Sequence, residues 1–169
     1  MTPVKVLFIA YPPSPDDLFE RVAVGTTPSG VWQFLRAQTA QDIIDQISAI
    51  ACYNSIDLVD IFGHGGPGFL ELSPDEALFD CQTGTFALGE LATLLPKHTP
   101  VRFLGCKVAA PDDVADKSWT FDPMKGLGWL SKQLGGRPVA APEDYVHPFD
   151  FGPGSIKGEV RLLTYVPPP

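Results

Sequence analysis

Nowhere does this sequence hold an unbroken apolar run of the roughly 18–20 residues that a membrane-spanning helix needs. Its first residues, Met1-Thr2-Pro3-Val4-Lys5, also lack a basic segment followed by a long apolar one and a small-residue cleavage site, so no signal peptide is expected. Basic residues are scarce: 12 Lys and Arg against 20 Asp and Glu leave a formal charge of -8, with no basic cluster to grip a phosphate backbone. Cysteine is scarce too. Cys52, Cys81 and Cys106 are an odd number without a secretion signal, which argues against a disulfide framework and for a reducing, cytoplasmic setting. There is no Cys-x-x-Cys, and His64, His98 and His147 are scattered, so neither a metal nor another cofactor is expected. A phosphate-binding Gly-Lys-Ser/Thr and a G-x-S-x-G serine elbow are both missing. Nucleic acid and membrane are therefore not the expected partners.

What is present is an ordinary globular composition, 44% hydrophobic and 19% charged over 169 residues, enough for one domain with one core. That domain is expected over residues 1–166, with the prolines of 167–169 as a tail. Residues 4–10 are β-branched and apolar, the pattern of a strand buried on both faces. Three prolines among residues 11–15 end it. The stretch 18–38 carries little periodicity, and residues 31–35 read as either a short strand or a turn of helix. Thr39 reads as a helix N-cap with Asp42 completing a capping-box variant, and Ile43, Ile44, Ile47, Ile50 and Ala51 form an apolar stripe. Cys52, in that stripe region, reads as core. A strand over 56–62 follows. Residues 69–72 suggest a short strand outside the main sheet, 86–95 a second helix, 100–105 a strand, 111–123 a polar loop, and 124–134 a third helix closed by Gly135-Gly136. Residues 138–141 form a further short strand, 142–158 a loop, and 159–166 an edge strand. Strand and helix alternate, so the expected fold is α/β, an open and mostly parallel sheet.

Two strand ends stand out. Leu58-Val59-Asp60-Ile61-Phe62-Gly63-His64-Gly65 is an apolar run that delivers an imidazole among glycines, and Val101-Arg102-Phe103-Leu104-Gly105-Cys106 delivers a thiol. Ligands of open α/β sheets bind beyond the carboxyl ends of the strands. His64, Cys106, Asp16, Asp17, Glu143 and Asp144 all follow strands on this reading, which places them on one rim. A histidine beside a cysteine is the minimum for a thiol nucleophile with its base. Gly63-His64-Gly65-Gly66-Pro67-Gly68 also satisfies G-x-G-x-x-G, but Pro67 and the alternation of Phe69-Leu70-Glu71-Leu72 replace the helix that a dinucleotide site requires. Cys81 lies in a loop; His98 and His147, between prolines, read as solvent-facing.

These two blocks resemble the caspase-like cysteine peptidases (clan CD), whose strands end in His-Gly and in small-residue-Cys. Cys106 follows His64 by 42 residues, near the roughly 50 that separate the pair in caspases. The bacterial CHAT-like members look most similar, since there too a Gly-rich turn, a short strand and a helix stand between the blocks. The resemblance covers about residues 4–141. It implies a three-layer sandwich with helices on both faces of the sheet. It also implies Cys106 as nucleophile, His64 as general base and acid, and the main-chain N–H groups of Gly65 and Cys106 as the oxyanion hole. Regions that build the family's specificity pocket hold Asp16, Asp17, Arg21, Glu143 and Asp144; the acids would favour a basic side chain before the scissile bond, whereas Arg21 would favour an acidic one, and the basic one is expected. The caspase pentapeptide Gln-Ala-Cys-x-Gly is absent: Leu104-Gly105-Cys106-Lys107-Val108 stands there. The expected activity is cysteine endopeptidase, on a partner protein or on the chain itself. The alternative is a catalytically silent caspase-like module that binds or regulates.

Overall fold

A computed structural model describes residues 1–111 and 120–169. Most of the expected polar loop over 111–123 lies outside the described residues. Strand β1, Thr2–Ala10, is buried from Val6 onward, which is why its sequence is continuously apolar. Helix α1, Asp17–Gly25, follows, its first turn capped by Asp16, whose side chain accepts the Leu18 N–H at 2.9 Å. Periodicity misses this helix because only Phe19 and Val22 are buried, too few to draw a stripe. Strand β2, Trp32–Ala37, lies parallel to β1 and decides the ambiguity at 31–35 for a strand.

Helix α2, Ala40–Ala51, begins with the expected capping box between Thr39 and Asp42 and buries Ile43, Ile44 and Ile47. Cys52, past its last turn, is exposed rather than core: one position beyond Ala51 already turns away from the sheet. Strand β3 is Asn54–Phe62. Strands β4 (His64–Gly66), β5 (Phe69–Ser73), β6 (Glu76–Asp80) and β7 (Thr85–Phe86) then form a four-stranded antiparallel sheet in that order. The helix expected over 86–95 is only α3, Leu91–Leu94, because Phe86 pairs with Phe79 in the small sheet. Leu88, Leu91 and Leu95 are buried all the same, so their apolar spacing reports a core contact made mostly without helix.

Strand β8 is Val101–Phe103, and helix α4, Pro123–Gln133, is closed by Gly135 and Gly136, both at positive φ. Strand β9 is Val139–Pro142, and β10 is Leu162–Tyr165, reached through a loop holding a single 3-10 turn, Pro148–Asp150.

The main sheet runs β10-β9-β8-β3-β1-β2 and is parallel except for the edge strand β10. Phe19 of α1 meets Phe62 of β3 edge-on, with centroids 5.6 Å apart. On the other face, Phe79 of β6 meets Phe103 at 4.8 Å. Phe103 is the register partner of Ile61, and successive strand residues face opposite sides, so helical and hairpin layers cover both faces. The fold is thus an α/β sandwich.

Two charged residues sit inside it. Asp60 on β3 is wholly buried beside its register partner Arg102 on β8. The guanidinium donates through Nε and NH2 to the two carboxylate oxygens at 2.6 and 2.5 Å, and the Ser155 hydroxyl donates to Oδ2. Arg137, 1% exposed, has no acid partner among the described residues and instead donates to main-chain carbonyls, among them those of Leu134 and Leu95. It thereby serves the carbonyl ends of α3 and α4 that no N–H within the helices can reach.

Candidate active site

The connection β1–α1–β2 steps one way along the sheet, and all later connections step the other way, so a crevice opens between the ends of β1 and β3. Asp16 follows β1 and His64 follows β3. In that crevice the His64 Nε2 stands 2.7 Å from the Asp16 Oδ2. The Phe19 ring, three residues along α1, packs on the imidazole with centroids 4.7 Å apart. Burial alone would push the Asp16 carboxyl up, but the hydrogen bonds from His64 and Leu18 and the charge of His64 together hold it below the ordinary carboxylate value. An ionised Asp16 can only accept, so in this pair Nε2 donates and Nδ1 is the ring nitrogen left outside the contact.

His64 does not lie in a loop, as the glycines around it suggest, but opens β4, where it pairs with Glu71. That pairing sets the ring's direction. Cys106 lies in a turn directly beyond β8, with Leu104 N–H donating to the Ile61 carbonyl at 2.8 Å. The two strand ends meet through their glycines. A Cβ built on Gly65 would lie 2.9 Å from the Gly105 Cα and 2.7 Å from the Val108 side chain, and one built on Gly105 would lie 2.9 Å from the Gly65 Cα. Neither position has room for a side chain. Their smallness brings the residues beside them, His64 and Cys106, to adjoining backbone.

Beyond the thiol the chain turns sharply. Lys107 has φ +56°, the left-handed region that a side chain other than glycine's occupies at some cost. The loop after β9 holds it there: Lys107 N–H donates to the Asp144 carbonyl at 2.9 Å, and its ammonium lies 4.6 Å from the centre of the Tyr145 ring. Val146 closes on the sulfur itself, its N–H donating to Sγ at 3.3 Å and its carbonyl accepting from Sγ at 3.5 Å. The Cys106 N–H has no acceptor among the described residues.

The expected rim exists, since Asp16, Asp17, His64, Cys106, Glu143 and Asp144 all lie beyond carboxyl strand ends. The four acids do not form one pocket. Asp16 is taken by His64. Asp17 faces a separate shallow hollow with Arg21 and Pro148. Glu143, paired with Arg161 at 3.0 Å, lines with Asp144 a broad hollow of about 850 Å³ on the Cys106 side. A tighter cavity of about 520 Å³ opens on the other side of His64, between the segment after β1 and the β5–β6 turn.

From its place in the sequence Asp16 reads as a specificity-pocket residue and the His64/Cys106 pair demands no third residue; the structure sets the Asp16 carboxylate against His64. The helix-capping position of Asp16, between a strand end and Phe19, was the available signal, because a cap holds a carboxylate rigid at the rim. Val146 left no signal, since it acts through its main chain. Cys81, also outside the site, is half-buried, and its desolvation together with the neighbouring Asp80 charge pushes the thiol up to about 11. His98 and His147 are exposed, as their proline-bounded loops suggest. Compared with protein-family models, with curated proteins and with solved structures, the chain finds no match.

Proposed function

We propose that the chain is a caspase-like cysteine endopeptidase in which Cys106 attacks, His64 moves the proton and Asp16 orients His64. The observation that carries this reading is the Gly65–Gly105 contact, which joins the strand ends bearing imidazole and thiol. The Asp16–His64 pair adds to it, because a base whose far nitrogen is held by a carboxylate keeps its tautomer and stabilises the imidazolium as it forms. Asp16 is a positioning residue on this reading and does not touch the reacting atoms.

The step proceeds as follows. The Cys106 proton passes to His64 Nδ1, and Sγ forms a bond to the scissile carbonyl carbon. The oxygen takes up negative charge opposite the Cys106 and Gly65 N–H groups, donors that need no reorganisation because strand ends hold them. Nδ1 returns the proton to the leaving nitrogen as the C–N bond breaks. Water, deprotonated by the same nitrogen, then adds to the thioester carbon; the C–S bond breaks and Nδ1 passes the proton to Sγ. The substrate class is an extended peptide segment, of a partner protein or of the chain itself. Glu143 and Asp144 lie on the thiol's side and favour a basic residue before the scissile bond.

A second reading has its own observation: the partners of Sγ are the main-chain groups of Val146, not the imidazole. In a silent binding module that arrangement would be permanent. In the peptidase, Val146 gives way when a peptide carbonyl arrives. Labelling with acyloxymethyl-ketone peptides, followed by mapping of the adducts, separates the two. The peptidase forms an adduct on Cys106 that His64→Ala abolishes. Labelling led by Cys52, which is simply the exposed thiol, would leave only the binding module.

A further inference from the structure

The cavity of about 520 Å³ beside His64 plays no part in the steps above. It borders the imidazole but not Cys106, and it lies over the β1–β2 side of the crevice, whereas the thiol lies on the β8 side. Its walls are apolar and stiff: Pro12 and Pro15 after β1, with Phe19 and Leu72. Prolines fix the backbone in advance, so little ordering is needed when a ligand enters. Its polar lining combines the neutral Ser14, Gln38, Thr39 and Ser73 with three acids, Asp16, Asp75 and Glu76, of which Asp16 is taken by His64. Asp75, at the turn between β5 and β6, is exposed and makes no ion pair among the described residues. Glu76 uses one oxygen to accept the Ala40 N–H at 2.8 Å, and its other oxygen has no hydrogen-bond partner among the described residues. The first turn of α2 also borders the space, but Asp42 and Glu76 already meet its positive end. Among the described residues, no lysine or arginine lines the cavity.

Resting on the peptidase reading, we infer that this cavity receives an arginine or lysine side chain on the leaving-group side of the scissile bond. The side follows from the chemistry. The thiol bonds to the carbonyl carbon and the imidazole gives its proton to the departing nitrogen, so what lies past His64, away from Cys106, meets the residues after the cut. The side-chain class follows from the lining. An apolar wall leading to Asp75 suits a long aliphatic stem with a cationic head. The volume is within the range of ordinary ligand pockets.

The test uses the whole chain carrying Cys106→Ala and fluorescent hexapeptides with Arg, Leu or Asp directly after the intended cut. Tightest binding is expected for Arg. Asp75→Lys should weaken the Arg peptide by about tenfold while leaving the Leu peptide unchanged. Equal binding of the three, or an equal effect of Asp75→Lys on all, overturns the assignment. The same peptides given to the chain with Cys106 intact separate the two claims. Arg-selective binding without cleavage or thiol labelling removes the peptidase and keeps the cavity. Cleavage indifferent to the residue after the cut keeps the peptidase and removes the cavity's role.

Discussion

Two pairs of a carboxylate with a basic side chain lie along the run from β3 into β4, and they are built oppositely. Asp60 and Arg102 face each other within the sheet, with the carboxylate wholly buried. Four residues on, His64 meets Asp16 at the rim, both partly open to water. Burial dominates at Asp60 and raises its carboxyl even against Arg102 and Ser155, whereas at Asp16 the hydrogen bonds win and lower it. The inner pair is a latch: through Ser155 it ties the loop after β9 to the sheet, beside Phe151, which packs on Phe62 at 4.9 Å. The outer pair is a pointer. It adds little to stability and decides where an imidazole nitrogen faces.

The sharpest way to break the comparison is to remove one half of the inner pair. Arg102→Met leaves Asp60 buried without its cation and should lower unfolding free energy by about 3–5 kcal/mol, read from urea titrations. Replacing Asp60, Arg102 and Ser155 together by Leu, Met and Ala removes every group that needs the others, and most of the loss should return. If the triple variant is as unstable as the single one, the cluster is not a closed unit and the latch is misdescribed.

Next in size is the contact that joins the two strand ends. Gly65→Ala puts a methyl against the Gly105 backbone, which cannot step aside as a side-chain tip can. About 1–3 kcal/mol of stability should be lost, and Cys106 labelling by peptide ketones should fall with it even where the variant remains folded. Unchanged labelling would mean that the dyad does not depend on this contact.

At the outer pair the expected effect on stability is smaller, within about 1 kcal/mol for Asp16→Asn, because exposed pairs are weak. Its effect on chemistry should be larger than on stability. An asparagine amide can turn its N–H toward Nε2 and select the wrong tautomer. Labelling of Cys106 should slow by at least about tenfold, with iodoacetamide labelling of Cys52 serving as the control that does not move. Equal slowing of both would reduce Asp16 to a helix cap.

What was legible in the sequence divides along the same line. Strands β1, β3, β8 and β9 and helix α2 are readable because burial writes continuous apolar runs or a stripe with a capping box. The rim residues were readable because glycine beside a strand end marks close approach. Helix α1 was not, since two buried side chains carry no period, and the pairing of Phe86 with Phe79 was hidden by leucines spaced like a helix. Asp16 is legible as a rim residue, but its contact with His64 is not. Side-chain type says what a carboxylate can do, but only the crossing of β1 and β3 says which partner it meets.

The finest test of the comparison is its sign. The folded Asp16 has a lowered pKa, so its contribution is present above the ordinary 3.8 and is lost as pH falls through the folded value. Asp60 is raised, so the folded chain keeps its proton after the unfolded chain has lost it, and its contribution declines as pH rises from 3.8 to the folded value. The gap in urea midpoint between the natural chain and Asp16→Asn should therefore be steady near neutrality and close on acidification below about 3.8. A gap that widened toward acid would mean that the Asp16 carboxyl is raised like Asp60's. The outer pair would then be a second latch, and nothing at the rim would hold the His64 tautomer for catalysis.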